Sequence, residues 1–249
     1  MKKIALITGA SSGIGEAIAR ELASSYSLII CGRRLEKLEA LQKELSNAEV
    51  HVLQFDVSKN EEVEAAINSL PDEWKEIEIL VNNAGNAHGL SPIHEGNIED
   101  WDAMIDSNLK GLLYVSRAVT PDMVKRKSGH IINISSIAGK EVYENGNVYC
   151  ASKFGVDAAT QGMRLDLNPY NIKVTCVSPG LVKTEFSNVR FKGNEEKAQN
   201  VYKGLDPLMA KDIAEVVKFA VDRPANVALT DITVLASAQA SAKVVNRKE

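Results

Sequence analysis

The stretch KIALITGASSGIG at residues 3–15 constrains the fold more than any other. An unbroken apolar run ends in a glycine-rich turn, and a helical pattern begins behind it. Such a run is buried on both faces, as in the middle of a parallel sheet. The glycines fall at Gly9, Gly13 and Gly15, a GxxxGxG spacing. Gly9 suits a tight turn, and Gly13 lets a phosphate come close to the backbone. With Ser11, Ser12 and Ile14 they place free N–H groups and the positive end of a helix where a pyrophosphate could sit. The alternative is an ordinary glycine-rich strand-to-helix turn. The strand, glycines, helix and second strand in sequence favour dinucleotide binding.

The same beat continues along the chain. Apolar runs at 3–8, 27–32, 50–56, 77–83, 130–135, 172–180 and 226–236 read as strands. Helical patterns fill the gaps: Glu16 to Ser25, the series Leu35, Leu38, Leu41 and Leu45, then about 59–70, 99–127 and 147–167. Strands alternating with helices imply βαβ units, hence an α/β, Rossmann-type, doubly wound parallel sheet of about seven strands with helices on both faces. No Pro/Gly/Ser-rich linker or repeat interrupts 1–249, so one domain is expected. Residues 181–210 break the beat: they are polar, contain Gly193 and Gly204, and show no clean strand. After the sixth strand, that segment reads as a movable substrate lid.

Bulk properties exclude several classes. A net charge of −4 gives nucleic acid no basic surface, and KRK at 125–127 is too short to change that. Cys31, Cys150 and Cys176 are scattered and odd in number, with no metal spacing. His88 and His94 lack acidic ligands, so no metal is expected. IALI is too short for a signal peptide, and no apolar run approaches membrane-spanning length. A cytoplasmic address and no membrane partner are expected.

The end of the second strand carries a sign. A site for NAD wants an acid there for the ribose 2′-hydroxyl. This chain has CGRR: Gly32 leaves room, and Arg33 and Arg34 offer guanidinium forks that suit a 2′-phosphate. The expected cofactor is NADP(H). Two solvated arginines are the alternative, disfavoured because cations sit badly at a helix N-terminus.

YCASK at 149–153 places Tyr149 and Lys153 four apart, on one helical face, with small residues between. A tyrosine near its usual pKa of about 10 is a poor acid or base at neutral pH. Lowering it by roughly 3 units needs about 4 kcal/mol. A lysine together with a cofactor cation in a dry cleft could supply that.

TGASSGIG, NNAG at 82–85, Asn108, the SS of INISS, YCASK and PG at 179–180 occur in one chain, in that order. Together they resemble the short-chain dehydrogenase/reductase family over essentially the whole sequence. The resemblance implies Tyr149 as general acid/base and Lys153 as the residue that bonds the nicotinamide ribose and depresses the tyrosine pKa. Ser136, 149 − 136 = 13 residues earlier, would bond the substrate oxygen. Its neighbour Ser135 would turn to the other face of the strand. Asn108 would hold a water in a proton relay. Asp56 and Val57 match adenine contacts, and Asn83, Ala84 and Gly85 match backbone beside the adenosine ribose. Pro179, Gly180, Val182 and Thr184 fall in the segment that grips the nicotinamide amide and phosphates. Members are commonly homotetramers.

Two further stretches, LPDEWKEIEILVNNAG at 70–85 and TEFSNVRFKGNEEKA at 184–198, resemble one subgroup. It comprises NADP-dependent 3-hydroxy acid dehydrogenases that oxidise serine and allo-threonine. The C-terminal VLASAQAS replaces the Gly-Gly pair common in the family, and that departure is shared with the subgroup. A small hydroxy acid such as 3-hydroxypropionate needs a cation for its carboxylate, and Arg190 in the lid is the candidate. The rival readings are a broad NADPH-dependent carbonyl reductase for neutral aldehydes and ketones, and a non-catalytic NADP-binding regulator.

Overall fold

Alternation along each strand sends side chains to opposite faces, and two cores follow from it. In the computed structural model, which describes residues 2–248, the first strand β1 (Ile4–Thr8) is buried throughout. Ala5 and Ile7 enter one core while Ile4 and Leu6 enter the other. β2 (Ser27–Gly32), β3 (Val50–Gln54), β4 (Ile77–Asn82), β5 (Gly129–Ile134) and β6 (Ile172–Pro179) repeat the pattern. With a last strand, β9 (Asp231–Val234), they form a seven-stranded parallel sheet in the order β3-β2-β1-β4-β5-β6-β9.

Helices cover both faces. α1 (Gly13–Leu22), α2 (Leu35–Glu44) and α9 (Ala210–Val221) close the first core with Ile18, Leu22, Leu38, Ile213 and Val217. α3 (Asn60–Asn68), α5 (Gly111–Arg126) and α6 (Asn147–Leu167) close the second with Val63, Val115, Met123 and Leu167. Each fully buried aliphatic side chain contributes about 1.5–3 kcal/mol. The strand order reverses between β1 and β4, so their carboxyl ends diverge and leave a crevice there. That switch point positions the site.

Three segments depart from the sequence reading. The pattern over 99–127 is two helices, α4 (Ile98–Ile105) and α5, joined by a π-helical turn at Asp106–Lys110. Residues 181–210, read as lacking a clean strand, contain β7 (Val182–Lys183) and β8 (Leu208–Met209), which pair in parallel, and two short helices, α7 (Phe186–Arg190) and α8 (Glu195–Asn200). α9 was not anticipated, although Ile213, Ala214, Val217, Ala220 and Val221 have helical spacing and are all buried.

Candidate active site

The glycine turn is shaped by close approach. Gly9 and Gly13 have φ of 68° and 58°, a region other residues enter at a cost. A Cβ on Gly15 would lie 2.4 Å from both the Asn83 Nδ2 and the Gly9 carbonyl oxygen. Thr8 fastens the neighbouring strand end: its Oγ1 accepts from the backbone N–H of Asn83 and of Ala84, each at 3.0 Å. Asn83 Nδ2 donates to the Thr8 carbonyl at 2.9 Å. Ser12 caps α1 without a side-chain bond, so the first-turn N–H groups stay open towards the crevice. They form a cradle suited to a phosphate.

The two arginines after β2 differ. Arg34 is braced: its Nη2 donates to Ser12 Oγ at 2.6 Å and to Ser11 Oγ at 3.1 Å, and its Nη1 pairs with Glu185 at 3.0 Å. Lys37 pairs with the same carboxylate at 2.9 Å. These two cations hold Glu185 below the usual carboxylate range. Arg33 is 71% exposed at its side chain and reaches Asp56 only at 3.6 Å, so its fork is free to turn onto a ligand. Burial opposes ionisation of Asp56, but bonds from Ser58 N–H and Oγ keep it below its ordinary pKa. Asp56 and Val57 line the same cleft as Gly9, Arg33 and Gly85.

At the other end of the crevice, α6 carries Tyr149 and Lys153, 7% and 5% exposed. Lys153 Nζ donates to the Ile134 carbonyl at 3.1 Å, leaving further N–H donors of a buried ammonium in the cleft. Burial pushes its pKa down to about 8. Ser136 sits at the head of the turn Ile137–Gly139, where its Oγ accepts from Ala138 N–H at 3.1 Å. It also donates to the Pro179 carbonyl at 3.5 Å, and its hydroxyl favours the phenolate form of Tyr149. Ser135 Oγ instead donates to the Lys153 carbonyl at 3.3 Å.

Asn108 stands in the π-helical turn, a feature frequent at functional sites. Its Oδ1 accepts from Asn86 N–H at 2.7 Å, and its Nδ2 donates to the Asn86 carbonyl and to Ser152 Oγ. Both ends of the amide are engaged, so a relay water would have to bond the main chain here rather than this side chain. Asn86 itself was not singled out in the sequence.

The electrostatics of Tyr149 also differ from the expectation that Lys153 depresses its pKa. Burial pushes the phenol up. The cation that pulls it down is Arg190, whose Cζ lies 5.0 Å from the Tyr149 ring centre. Arg190 is ringed by Tyr143, Tyr149 and Phe186, and its Nη2 donates to Tyr143 Oη at 2.5 Å. Its Nε is buried without a partner. Tyr143 was missed in the sequence, although it lies in the same VYENGNVY stretch as Tyr149.

Most of these groups line one continuous cleft of about 770 Å³, with Pro179, Gly180, Val182 and Thr184 along the lid side; Gly15 and Asn108 do not, and Asn108 is buried behind the lining residue Asn86. That volume lies within the range of ligand clefts. The phosphate cradle, the free Arg33 fork and the buried Lys153 ammonium together fit an anionic dinucleotide such as NADP(H).

The short chain dehydrogenase family model matches residues 3–195. The chain is 45% identical over 241 residues to the NADP-dependent 3-hydroxy acid dehydrogenase YdfG of Salmonella typhi, covering 96% of this chain and 97% of that one. It is 44% identical over 252 residues to the NADP-dependent 3-hydroxy acid dehydrogenase of Schizosaccharomyces pombe, covering 99% and 97%. Its fold is similar to the closed form of serine dehydrogenase complexed with NADP+, with a TM-score of 0.94 and 43% identity, covering 99% of this chain and 100% of that one. A sheet reversed at the glycine turn, a tyrosine and lysine buried together at its carboxyl edge, and these likenesses along almost the full length lead to one conclusion: the chain belongs to the short chain dehydrogenase family.

Proposed function

We propose that the protein is an NADP-dependent oxidoreductase acting on the CH–OH group of a small 3-hydroxy acid such as serine, allo-threonine or 3-hydroxypropionate. The whole chain would act as one catalytic unit, with 181–210 as its lid. Bound NADP+ would supply the hydride acceptor. Tyr149, as phenolate, takes the substrate hydroxyl proton while the carbon gives up its hydride. The products are a carbonyl, NADPH and neutral Tyr149; reduction runs the same steps backwards. Ser136 donates to the substrate oxygen, and Lys153 holds the nicotinamide ribose. Arg33 meets the 2′-phosphate, and Gly9 to Gly15 hold the pyrophosphate.

The observation that carries the acid preference is the buried, unpartnered Nε of Arg190 beside Tyr149. A carboxylate satisfies it, whereas a neutral substrate leaves it orphaned. The second reading, a broad carbonyl reductase, draws on the apolar lining of the same cleft by Leu90, Phe186 and Val189. The test is NADPH absorbance with NADP+ or NAD+ against L-serine, 3-hydroxypropionate and a neutral secondary alcohol. NADP-dependent turnover that favours the acids supports the proposal. Preference for the neutral alcohol selects the second reading, and no turnover in either direction leaves a cofactor-binding regulator. A homotetramer and a cytoplasmic address are part of the same proposal. The exposed Leu113, Phe154 and Leu165 on α5 and α6 support the first. The free Cys31, Cys150 and Cys176 support the second.

A further inference from the structure

We propose that Tyr143 is a second carboxylate ligand of the substrate pocket, acting beside Arg190; this rests on the acid-substrate reading above. Its ring is wedged in place: a Cβ on Gly146 would lie 2.1 Å from the Tyr143 Cε2, so glycine alone lets the ring lie there. The ring lines the cleft, and its Oη accepts from Arg190 Nη2 at 2.5 Å. A phenol oxygen that accepts from a guanidinium keeps its own proton for another acceptor. Among the described residues, none accepts it. Arg190 Nε, on the same guanidinium, is buried and unpartnered as well.

Two donors of different kinds therefore converge at the cleft wall, one charged and one neutral. Both lack a protein acceptor, and the guanidinium stands beside the ring of Tyr149. Arg190 Cζ is 5.6 Å from the Tyr143 ring centre and 5.0 Å from that of Tyr149. A carboxylate, with two oxygens that each accept more than one bond, fits this donor set. An uncharged group fills half of it and leaves the rest unpaired, which is the arrangement that discriminates most strongly between substrates. The hydroxyl of Tyr143 thus becomes a specificity determinant, distinct from the Tyr149 hydroxyl that exchanges the proton. Burial keeps Tyr143 in its neutral, donating form across the working range.

The test is Tyr143→Phe, which keeps the ring under Arg190 and removes only the hydroxyl. KM for L-serine or 3-hydroxypropionate should rise about tenfold, with kcat within about twofold. KM for a neutral secondary alcohol should stay put, and so should the NADPH dissociation constant read by fluorescence. Propionate, which cannot be oxidised at a hydroxyl, should weaken as a competitive inhibitor in parallel. Tyr143→Gln, which restores a donor, should recover part of the acid preference. Arg190→Lys separates the two readings. A rise in acid KM with Arg190→Lys but not with Tyr143→Phe overturns the Tyr143 proposal and leaves the clamp standing. No change with either variant removes the acid reading itself. Equal losses for acid and neutral substrates in Tyr143→Phe assign the hydroxyl to pocket shape and also overturn the proposal.

Discussion

Arg190, on the lid, holds its guanidinium carbon 5.0 Å from the ring centre of Tyr149, on α6. The cation favours the phenolate, against the burial that raises the tyrosine pKa. The lid therefore tunes the base as well as covering it. Replacing Arg190 with Met removes that pull, so the Tyr149 pKa rises. For oxidation of a neutral alcohol, the rate climbs as the phenolate forms with increasing pH. The midpoint of the kcat/KM profile should move up by about half to one pH unit. A neutral alcohol is the right probe because the clamp plays no part with it. An unmoved midpoint would mean that Arg190 does not act on Tyr149.

The unequal bonding of Arg33 and Arg34 makes them separable. Arg33 is free to meet a 2′-phosphate, whereas Arg34 braces Ser11, Ser12 and Glu185. Arg33→Asp should weaken NADPH binding by about 10- to 100-fold and leave NADH nearly unaffected. Arg34→Ala should weaken both, because it loosens the phosphate turn that the two cofactors share. Fluorescence titrations of both nucleotides with both variants decide the matter. If NADPH and NADH respond alike to Arg33→Asp, that residue does not read the 2′-phosphate.

Much of this was legible in local pattern. The helix at 147–167 has the bounds expected from its periodicity, and the glycine turn lies where its spacing puts it. What escaped depends on partners far apart in the chain. Arg190 meets Tyr143 across 47 residues, and Arg34 meets Glu185 across 151. No window of sequence contains both members of either pair. The π-helical turn was hidden for a related reason. Asn108 bonds the backbone of Asn86 and the hydroxyl of Ser152, so tertiary bonds accompany a turn that helical periodicity alone reads as continuous. α9 is different: Ile213, Ala214, Val217, Ala220 and Val221 recur at helical spacing within one short stretch, so local pattern carries the signal without any distant partner.

His130 offers a stability test away from the site. It is buried in β5, its Nε2 bonds Thr175 Oγ1 at 2.8 Å, and its Nδ1 has no partner. Burial pushes its pKa down to about 3 from 6.5. Between those values the unfolded chain binds a proton that the folded chain refuses, so stability is full above pH 6.5 and is lost as pH falls towards 3. From pH 7 to pH 5 the contribution lost is about 2 kcal/mol. Urea unfolding of His130→Gln at both pH values should show a smaller pH difference by about that amount. An equal difference in both proteins would place the acid sensitivity elsewhere.

Lys153 carries the opposite balance, because a site residue is here a burden on the fold. It is buried, with one bond from Nζ to the Ile134 carbonyl, and its pKa sits at about 8 against 10.5. Below pH 8 the ammonium is charged in both states, and the folded state bears the whole desolvation penalty, about 3 kcal/mol. As pH rises from 8 to 10.5 the folded lysine loses its proton first, so the native state gains relative stability through that window. Lys153→Met, similar in length and uncharged, should abolish turnover and yet raise the unfolding free energy at pH 7. The gain will be less than the full penalty, since the bond to Ile134 goes too. The difference from the parent protein should shrink by pH 10. Urea unfolding without cofactor at pH 7 and pH 10 reads this directly. A variant less stable than the parent at pH 7 would mean that the ammonium is held by more than its single bond, and that function and stability are not opposed at this residue.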